Sequence, residues 1–338
     1  MVNGKNGKRN GNGNMRGFVP DNGINDLIFK ELIKRGYSLE GNTRVWNIAD
    51  SKLWYLTPNQ SQAYLDLDHD KEYKKGTGQS QGEQLIKDNI FEILEEIGDE
   101  PINIVDLGCG DGEKAAVIVK EIRKIKPNLK LRYCPIDISG YMVEKAIETF
   151  SKLDVEQIID FQYNISDFEN LENITPLLKK NEFKRNLILL LGNTLGNFEI
   201  NELLYEVRSG MVKGDFFLVD TAVNDNMQKD RIESYKKNYF FNKWLLYVMT
   251  QLGLEKDEIE FGVRWKNSRL EFYYTILKDK KVNFQNKSVQ FNRGDQIIVV
   301  IAYKHEQDDL ISYFNLYFDN VMFRVAESDG KVLALCGK

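Results

Sequence analysis

The stretch INIVDLGCGDGE, residues 102–113, decides how the rest of the chain is read. Its first six residues are a short apolar run ending in Asp106, of the length of a buried strand. Gly108, Gly110 and Gly112 then let the backbone turn sharply and approach a ligand closely. The apolar spacing over 113–125 predicts a helix. A strand, a glycine loop and a helix in succession make one unit of a parallel sheet, with a ligand expected at the strand's carboxyl end.

Working outward, strand and helix patterns alternate. Strands are predicted at 131–137, 158–165, 186–192 and 215–221, and helices at 140–152 and 199–211. That rhythm predicts a doubly wound α/β sheet. Upstream, an amphipathic helix is expected at 83–97 and another at 24–35, with a loop over 76–82 and an aromatic-rich stretch between. After 221 the rhythm changes: one helix over 227–252, then strands at 259–265, 269–278, 281–291 and 296–303. The chain ends in a helix at 307–318 and two strands around Ser328-Asp329-Gly330, a hairpin signature. The expected organisation is a basic tail at 1–17, an N-terminal cap at 18–82, a core at 83–221, a closing subdomain at 222–302, and a helix and hairpin at 303–338 that complete the core sheet.

Composition narrows the function. The chain has 338 residues with 42% apolar and 29% charged content, ordinary for a folded protein. Residues 1–17 hold ten Gly or Asn and four basic residues, too little apolar surface to order a backbone. This segment reads as a solvated leader or a basic arm for an anionic partner. The net charge is −5, and about −9 without those four, which disfavours a nucleic-acid partner needing a basic face. Apolar runs stop at strand length, so no membrane partner is expected. Three scattered cysteines suggest a reducing, cytoplasmic setting, and with two isolated histidines they offer no metal-ligand spacing.

The glycine loop lacks the third glycine of a nicotinamide fingerprint, because Glu113 stands there. Asp106 and Asp111 make its mouth acidic, which suits a cationic nucleoside better than a pyrophosphate. Asp137 at the second strand tip can accept from a ribose diol, with Ser139 two residues on. At the third, Asp167 can accept from an adenine amine while Phe168 covers the ring. Three carboxylates at successive strand ends point to S-adenosylmethionine, which carries a sulfonium and an ammonium.

These residues resemble the histidine-specific methyltransferase family of the ergothioneine pathway, which includes fungal tryptophan-derivative N-methyltransferases. The resemblance rests on Asp-Leu-Gly-x-Gly at 106–110 with Lys114 downstream, Pro-Ile-Asp-Ile-Ser at 135–139, and Gly-Asn-Thr-Leu-Gly-Asn-Phe at 192–198. Phe241-Asn242, Arg269-Leu270-Glu271 and Gly294-Asp295 add to it. It implies a Rossmann-like class I methyltransferase, α/β with a parallel sheet and C-terminal antiparallel hairpin, plus a smaller α+β substrate subdomain. The implied cofactor residues are Asp106, Gly108, Gly110, Lys114, Asp137, Ser139, Asp167, Phe168, Gly192, Asn193 and Thr194. It implies substrate contacts at Tyr55, Tyr73, Asn197, Tyr235 and Phe272, with Asn197 and Tyr235 as catalytic candidates. The family's Glu and Ser that recognise histidine fall on Val300 and Ala302. The expected activity is therefore N-methylation of a small amine or amino-acid derivative, with histidine itself disfavoured as the acceptor. A protein methyltransferase and a non-catalytic cofactor-binding relative stand as alternatives. A nucleic-acid methyltransferase is disfavoured, because 192–195 reads Gly-Asn-Thr-Leu instead of an Asn/Asp-Pro-Pro-aromatic motif.

Overall fold

The structure is a computed structural model describing residues 24–160, 165, 168, 171–224, 229–326 and 330–338. Asp167, the tail at 1–17 and the Ser328-Asp329 part of the hairpin turn lie outside the described residues.

The core is a seven-stranded sheet. Its parallel members are β3 (Ile102–Leu107), β4 (Leu131–Ile136), β5 (Gln157–Ile158), β6 (Arg185–Leu190) and β7 (Phe216–Ala222). The hairpin β13 (Asn320–Val325) and β14 (Lys331–Gly337) closes one edge, with β14 antiparallel to β7. The order is β13-β14-β7-β6-β3-β4-β5, so the chain winds outward both ways from β3. This is the class I methyltransferase arrangement, and its switch point is the tip of β3, where a crevice opens. Strands buried on both faces need near-continuous apolar runs, and β3, β4 and β6 have them.

Helices cover both faces. On α5 (Glu113–Ile125), Ala115, Ala116, Ile118, Val119 and Ile122 fall on the buried stripe. With α4 (Gln79–Ile97) it packs one face of the sheet; α7 (Leu171–Leu178), α8 (Ile200–Gly210) and α11 (Gln307–Tyr317) cover the other. Helix α6 (Gly140–Phe150) joins α4 and α5 on the first face through Val143, Ala146 and Phe150.

A second, five-stranded sheet holds β1 (Tyr37–Glu40), β2 (Thr43–Asn47), β8 (Ile259–Lys266), β9 (Arg269–Ile276) and β12 (Gln296–Tyr303) in the order β1-β2-β12-β9-β8. Residues 37–47 thus share one sheet with strands more than 200 positions later, through the parallel pair β2–β12. Its core packs against α1 (Asp26–Arg35), α2 (Pro58–Asp68) and α10 (Tyr239–Thr250). Among the described residues no helix is long and apolar enough to cross a membrane.

Four expectations are corrected. The helix expected over 227–252 is two, α9 (Lys229–Lys237) and α10, because the Asn238 side chain caps α10 by accepting from Phe240 N at 2.9 Å and Phe241 N at 3.2 Å. The segment 281–291 is a hairpin of β10 (Lys280–Phe284) and β11 (Lys287–Phe291), turning at Gln285 with φ of 53°. The loop expected over 76–82 shrinks, since α3 (Lys71–Gly76) and α4 nearly abut. The third core strand is only Gln157–Ile158, followed by a bridge of Ile165 to Asp137.

Candidate active site

Two cavities meet at the switch point. The first, of about 670 Å³, is lined by Gly108, Gly110, Asp137, Phe168, Thr194 and Asn197 together with Tyr55 and Tyr64. A narrower extension reaches Asp106, Lys114 and Gly192. The second, of about 660 Å³, lies between the two sheets and is lined by Tyr73, Tyr235, Phe272, Val300 and Ala302, again with Tyr55, Tyr64 and Asn197. Asp106, Asp137 and Phe168 from three strand tips, and Tyr235, Phe272, Val300 and Ala302 from the second half of the chain, therefore line adjoining cavities. Tyr55, Tyr64 and Asn197 form their shared wall.

Strand tips build the first chamber. Asp137 ends β4, and its carboxylate accepts from Ser139 N at 2.9 Å and Gly110 N at 3.2 Å. It thereby ties the glycine loop to the neighbouring strand. Burial pushes this carboxyl up to about 6, even though the backbone N–H groups favour its charged form. Asp106 ends β3, accepts from the Tyr133 hydroxyl at 2.7 Å, and is pushed up to about 7, chiefly by burial. Two buried carboxyls of raised pKa at one crevice favour a cationic ligand, whose charge would offset their desolvation. Ser139 is not among the residues lining the chamber; its hydroxyl exchanges a 2.9 Å hydrogen bond with that of Ser61 of α2.

Lys114 projects from α5 under the turn after β6. Its ammonium lies 2.6 Å from Asp68 of α2. Burial opposes the charge, yet the Asp68 carboxylate wins and holds the lysine above its usual range. His69, next in sequence, reaches Asp111 Oδ2 at 2.8 Å, and Gln62 accepts from the Tyr141 hydroxyl at 2.5 Å. Helix α2 is thus strapped across the mouth of the glycine loop. Lys243 of α10 meets Asp66 at 2.7 Å, which joins the same helix to the second unit.

The turn after β6 carries the boundary between the chambers. Gly192 and Asn193 adopt positive φ and lead into a 3-10 turn, Thr194–Asn197. A Cβ on Gly196 would stand 2.8 Å from the Tyr303 carbonyl oxygen of β12, so the core turn rests directly on the second sheet's backbone. Gly196→Ala is expected to push the two units apart and cost about 1–3 kcal/mol of stability, read as a lower urea midpoint.

The second chamber is aromatic. Phe241 stacks on Phe272 with centroids 4.9 Å apart, and Tyr235 meets both edge-on. Trp244 lies 5.0 Å from Tyr64 and 5.9 Å from Tyr55. Burial pushes the Tyr55, Tyr64 and Tyr73 phenols well up, so all three stay neutral donors. No acidic residue lines this chamber among the described residues. Val300 and Ala302 face it only because β12 carries a bulge: the register against β9 shifts between Ile298 and Val300. Ile297 and Val299 then share a face with Val300 and Ala302, while Ile298 and Ile301 turn to the opposite face, into a small buried cluster with Val45. The Val299 carbonyl accepts from the Trp54 indole at 2.8 Å.

Tyr64, Trp54, Asp68, Phe241 and Trp244 escaped the sequence reading as site residues. Trp244 is both buried in the second unit's core and a chamber wall. The density of aromatics between 46 and 73 was the available signal, but helix α2 alone brings Tyr64 against both chambers.

A family model described as histidine-specific methyltransferase, SAM-dependent, matches residues 79–319. No curated protein matches significantly in sequence. The chain is similar to a solved S-adenosylmethionine-dependent methyltransferase from Clostridium acetobutylicum at 15% identity and TM-score 0.40, covering 74% of this chain and 89% of that one. It is also similar to the PH0226 protein from Pyrococcus horikoshii at 12% identity and TM-score 0.40, covering 79% and 99%. A third is DesVI from Streptomyces venezuelae at 12% identity and TM-score 0.37, covering 81% and 98%.

Proposed function

The chain belongs to the histidine-specific, S-adenosylmethionine-dependent methyltransferase family, and within it we propose that it N-methylates a small amine or amino-acid derivative with an apolar far end in preference to histidine. The supporting observation is the apolar floor of the second chamber, where Leu270, Phe272, Val300 and Ala302 stand together without a carboxylate. An imidazole placed there would lose hydrogen bonds it makes in water, and such losses discriminate strongly.

In this reading the first chamber holds the cofactor. Asp137 accepts from the ribose hydroxyls, Phe168 covers the adenine, and Asp106, Gly108, Gly110 and Ser139 shape the loop beneath. Gly192, Asn193, Thr194 and Lys114 bound the amino-acid end. Asp167 keeps its adenine role as a sequence-based expectation only. S-adenosylmethionine supplies a methyl group already activated on a sulfonium. The protein has to present a neutral amine lone pair in line with it, and orientation alone can contribute about 7–11 kcal/mol. The second chamber suits a neutral amine: it is desolvated, and no carboxylate stabilises the ammonium. Asn197, on the shared wall, orients the amine or its neighbouring carboxylate through its amide. Tyr55, Tyr73 and Tyr235 offer ring faces to a methylated ammonium, each contact contributing about 0.5–2 kcal/mol.

Incubation with methyl-labelled cofactor and fractionated cellular small molecules, proteins and RNA tests the proposal. Label is expected in the small-molecule amines; label confined to protein or RNA overturns it. Asn197→Ala is expected to lower turnover of the labelled amine about 10²-fold through lost orientation while S-adenosylhomocysteine affinity stays within about threefold. Full turnover in that variant would remove Asn197 from the assignment.

A further inference from the structure

The last core strand sends a lysine into the interior. Lys331 is fully buried, with its ammonium 2.5 Å from Asp220 Oδ2 and 2.7 Å from Asn193 Oδ1. The other oxygen of Asp220 accepts from Gly192 N at 2.6 Å. The Asn193 amide in turn donates to the Thr77 carbonyl at 3.1 Å, just ahead of α4. Helix α4 closes the back of this group. A Cβ on Gly82 would come within 2.7 Å of Asp220 and 2.9 Å of Lys331, so the helix can pass there only without a side chain.

Segments far apart in sequence thus converge on one two-residue turn. A buried ion pair is a weak source of stability, because apolar residues of similar volume often do as well or better. What an apolar pair cannot supply is direction. Here the directed bonds end on Gly192 N and Asn193 Oδ1, and those residues begin the turn that borders both chambers.

We propose that Lys331 and Asp220 are positioning residues for methyl transfer, a buried clamp that fixes the Gly192–Asn193 turn and through it sets Thr194 and Asn197 between the two chambers. The proposal rests on reading those chambers as cofactor and acceptor sites. Neither clamp residue has to touch a ligand. Their effect passes through the backbone of the turn, where a small displacement at one end moves groups facing both chambers.

The test uses two variants of the full chain. Asp220→Asn with Lys331→Met leaves no unpaired buried charge and keeps an acceptor for Gly192 N. Asn193→Gly keeps the positive φ and removes both side-chain bonds of the turn. Amide hydrogen exchange without ligand is expected to quicken about tenfold or more across 191–198 while β3, β6 and β7 exchange as in the parent. Calorimetry with S-adenosylhomocysteine is expected to show about tenfold weaker binding, the scale of one lost hydrogen bond to a charged or well-aligned group. Unchanged exchange and affinity in both variants overturns the proposal. A uniform quickening across β6, β7 and β14 also overturns it, since the pair then serves the sheet as a whole. If the parent protein itself fails to bind S-adenosylhomocysteine, the chamber assignment fails, and the local exchange pattern still decides the clamp.

Discussion

Asp137→Ala is expected to weaken S-adenosylhomocysteine binding about 10²-fold or more, from the loss of two charge-assisted hydrogen bonds of about 1.5–3 kcal/mol each. The argument has two parts. In the absence of ligand, the carboxylate holds Gly110 N and Ser139 N, so its removal loosens the glycine loop. With ligand, under the proposed cofactor placement, the same carboxylate lines the chamber and is expected to accept from the ribose diol. Asp137→Asn keeps the shape and one acceptor and is expected to fall between. Binding within threefold of the parent in the alanine variant would show that the carboxylate neither grips the cofactor nor shapes its loop.

The same carboxyl sets a pH dependence. Asp137 is pushed up to about 6 and Asp106 to about 7, both chiefly by burial. A carboxyl whose folded pKa exceeds its unfolded value of about 4 binds its proton more tightly in the folded state. These two groups therefore contribute stability that is full below about pH 4 and is lost as pH rises through about 6 and then about 7. A cationic cofactor favours their ionised forms. Affinity for S-adenosylmethionine is expected to rise between about pH 5 and 8, with protons released on binding near the two pKa values. Calorimetry in buffers of different ionisation heat reads that release directly. Proton uptake, or an affinity flat across the range, would contradict the electrostatic account.

The second large effect concerns the acceptor. Val300→Glu with Ala302→Ser is expected to raise histidine methylation at least about 10²-fold above the parent chain, because a site that hydrogen-bonds a polar group separates it strongly from apolar analogues. The bulge in β12 aims both positions into the second chamber, opposite Phe272 and Leu270. A glutamate there can accept from an imidazole N–H, and a serine can serve the second nitrogen. Burying the new carboxylate among Leu270, Phe272 and Phe241 is expected to cost about 1–3 kcal/mol of stability in the apo protein, read by urea denaturation. Rapid turnover of histidine by the parent chain would overturn the apolar-floor reading outright.

The sequence made the core legible because its determinants are local. A strand, a glycine loop and a helix occupy consecutive residues, and the carboxylates that matter stand at strand ends only 31 positions apart, at Asp106 and Asp137. The motif over 192–198 was legible for the same reason. Hydrophobic period and turn chemistry act within a few residues, so no distant partner has to be known. The break at Asn238 was missed although it is local, because a side-chain cap can split an apolar run that periodicity reads as continuous.

What the sequence by itself determined is the order of strands and helices, the acidic strand tips, and hence the class of cofactor. Only the tertiary structure decided which face of β12 meets the second chamber, that α2 brings Tyr64 and Asp68 to the mouth of the glycine loop, and that Lys331 reaches Asn193 across 138 positions. The physical reason is that strand parity survives only until a bulge resets it. Likewise, a buried charge reveals its purpose only when packing shows which groups share its cavity.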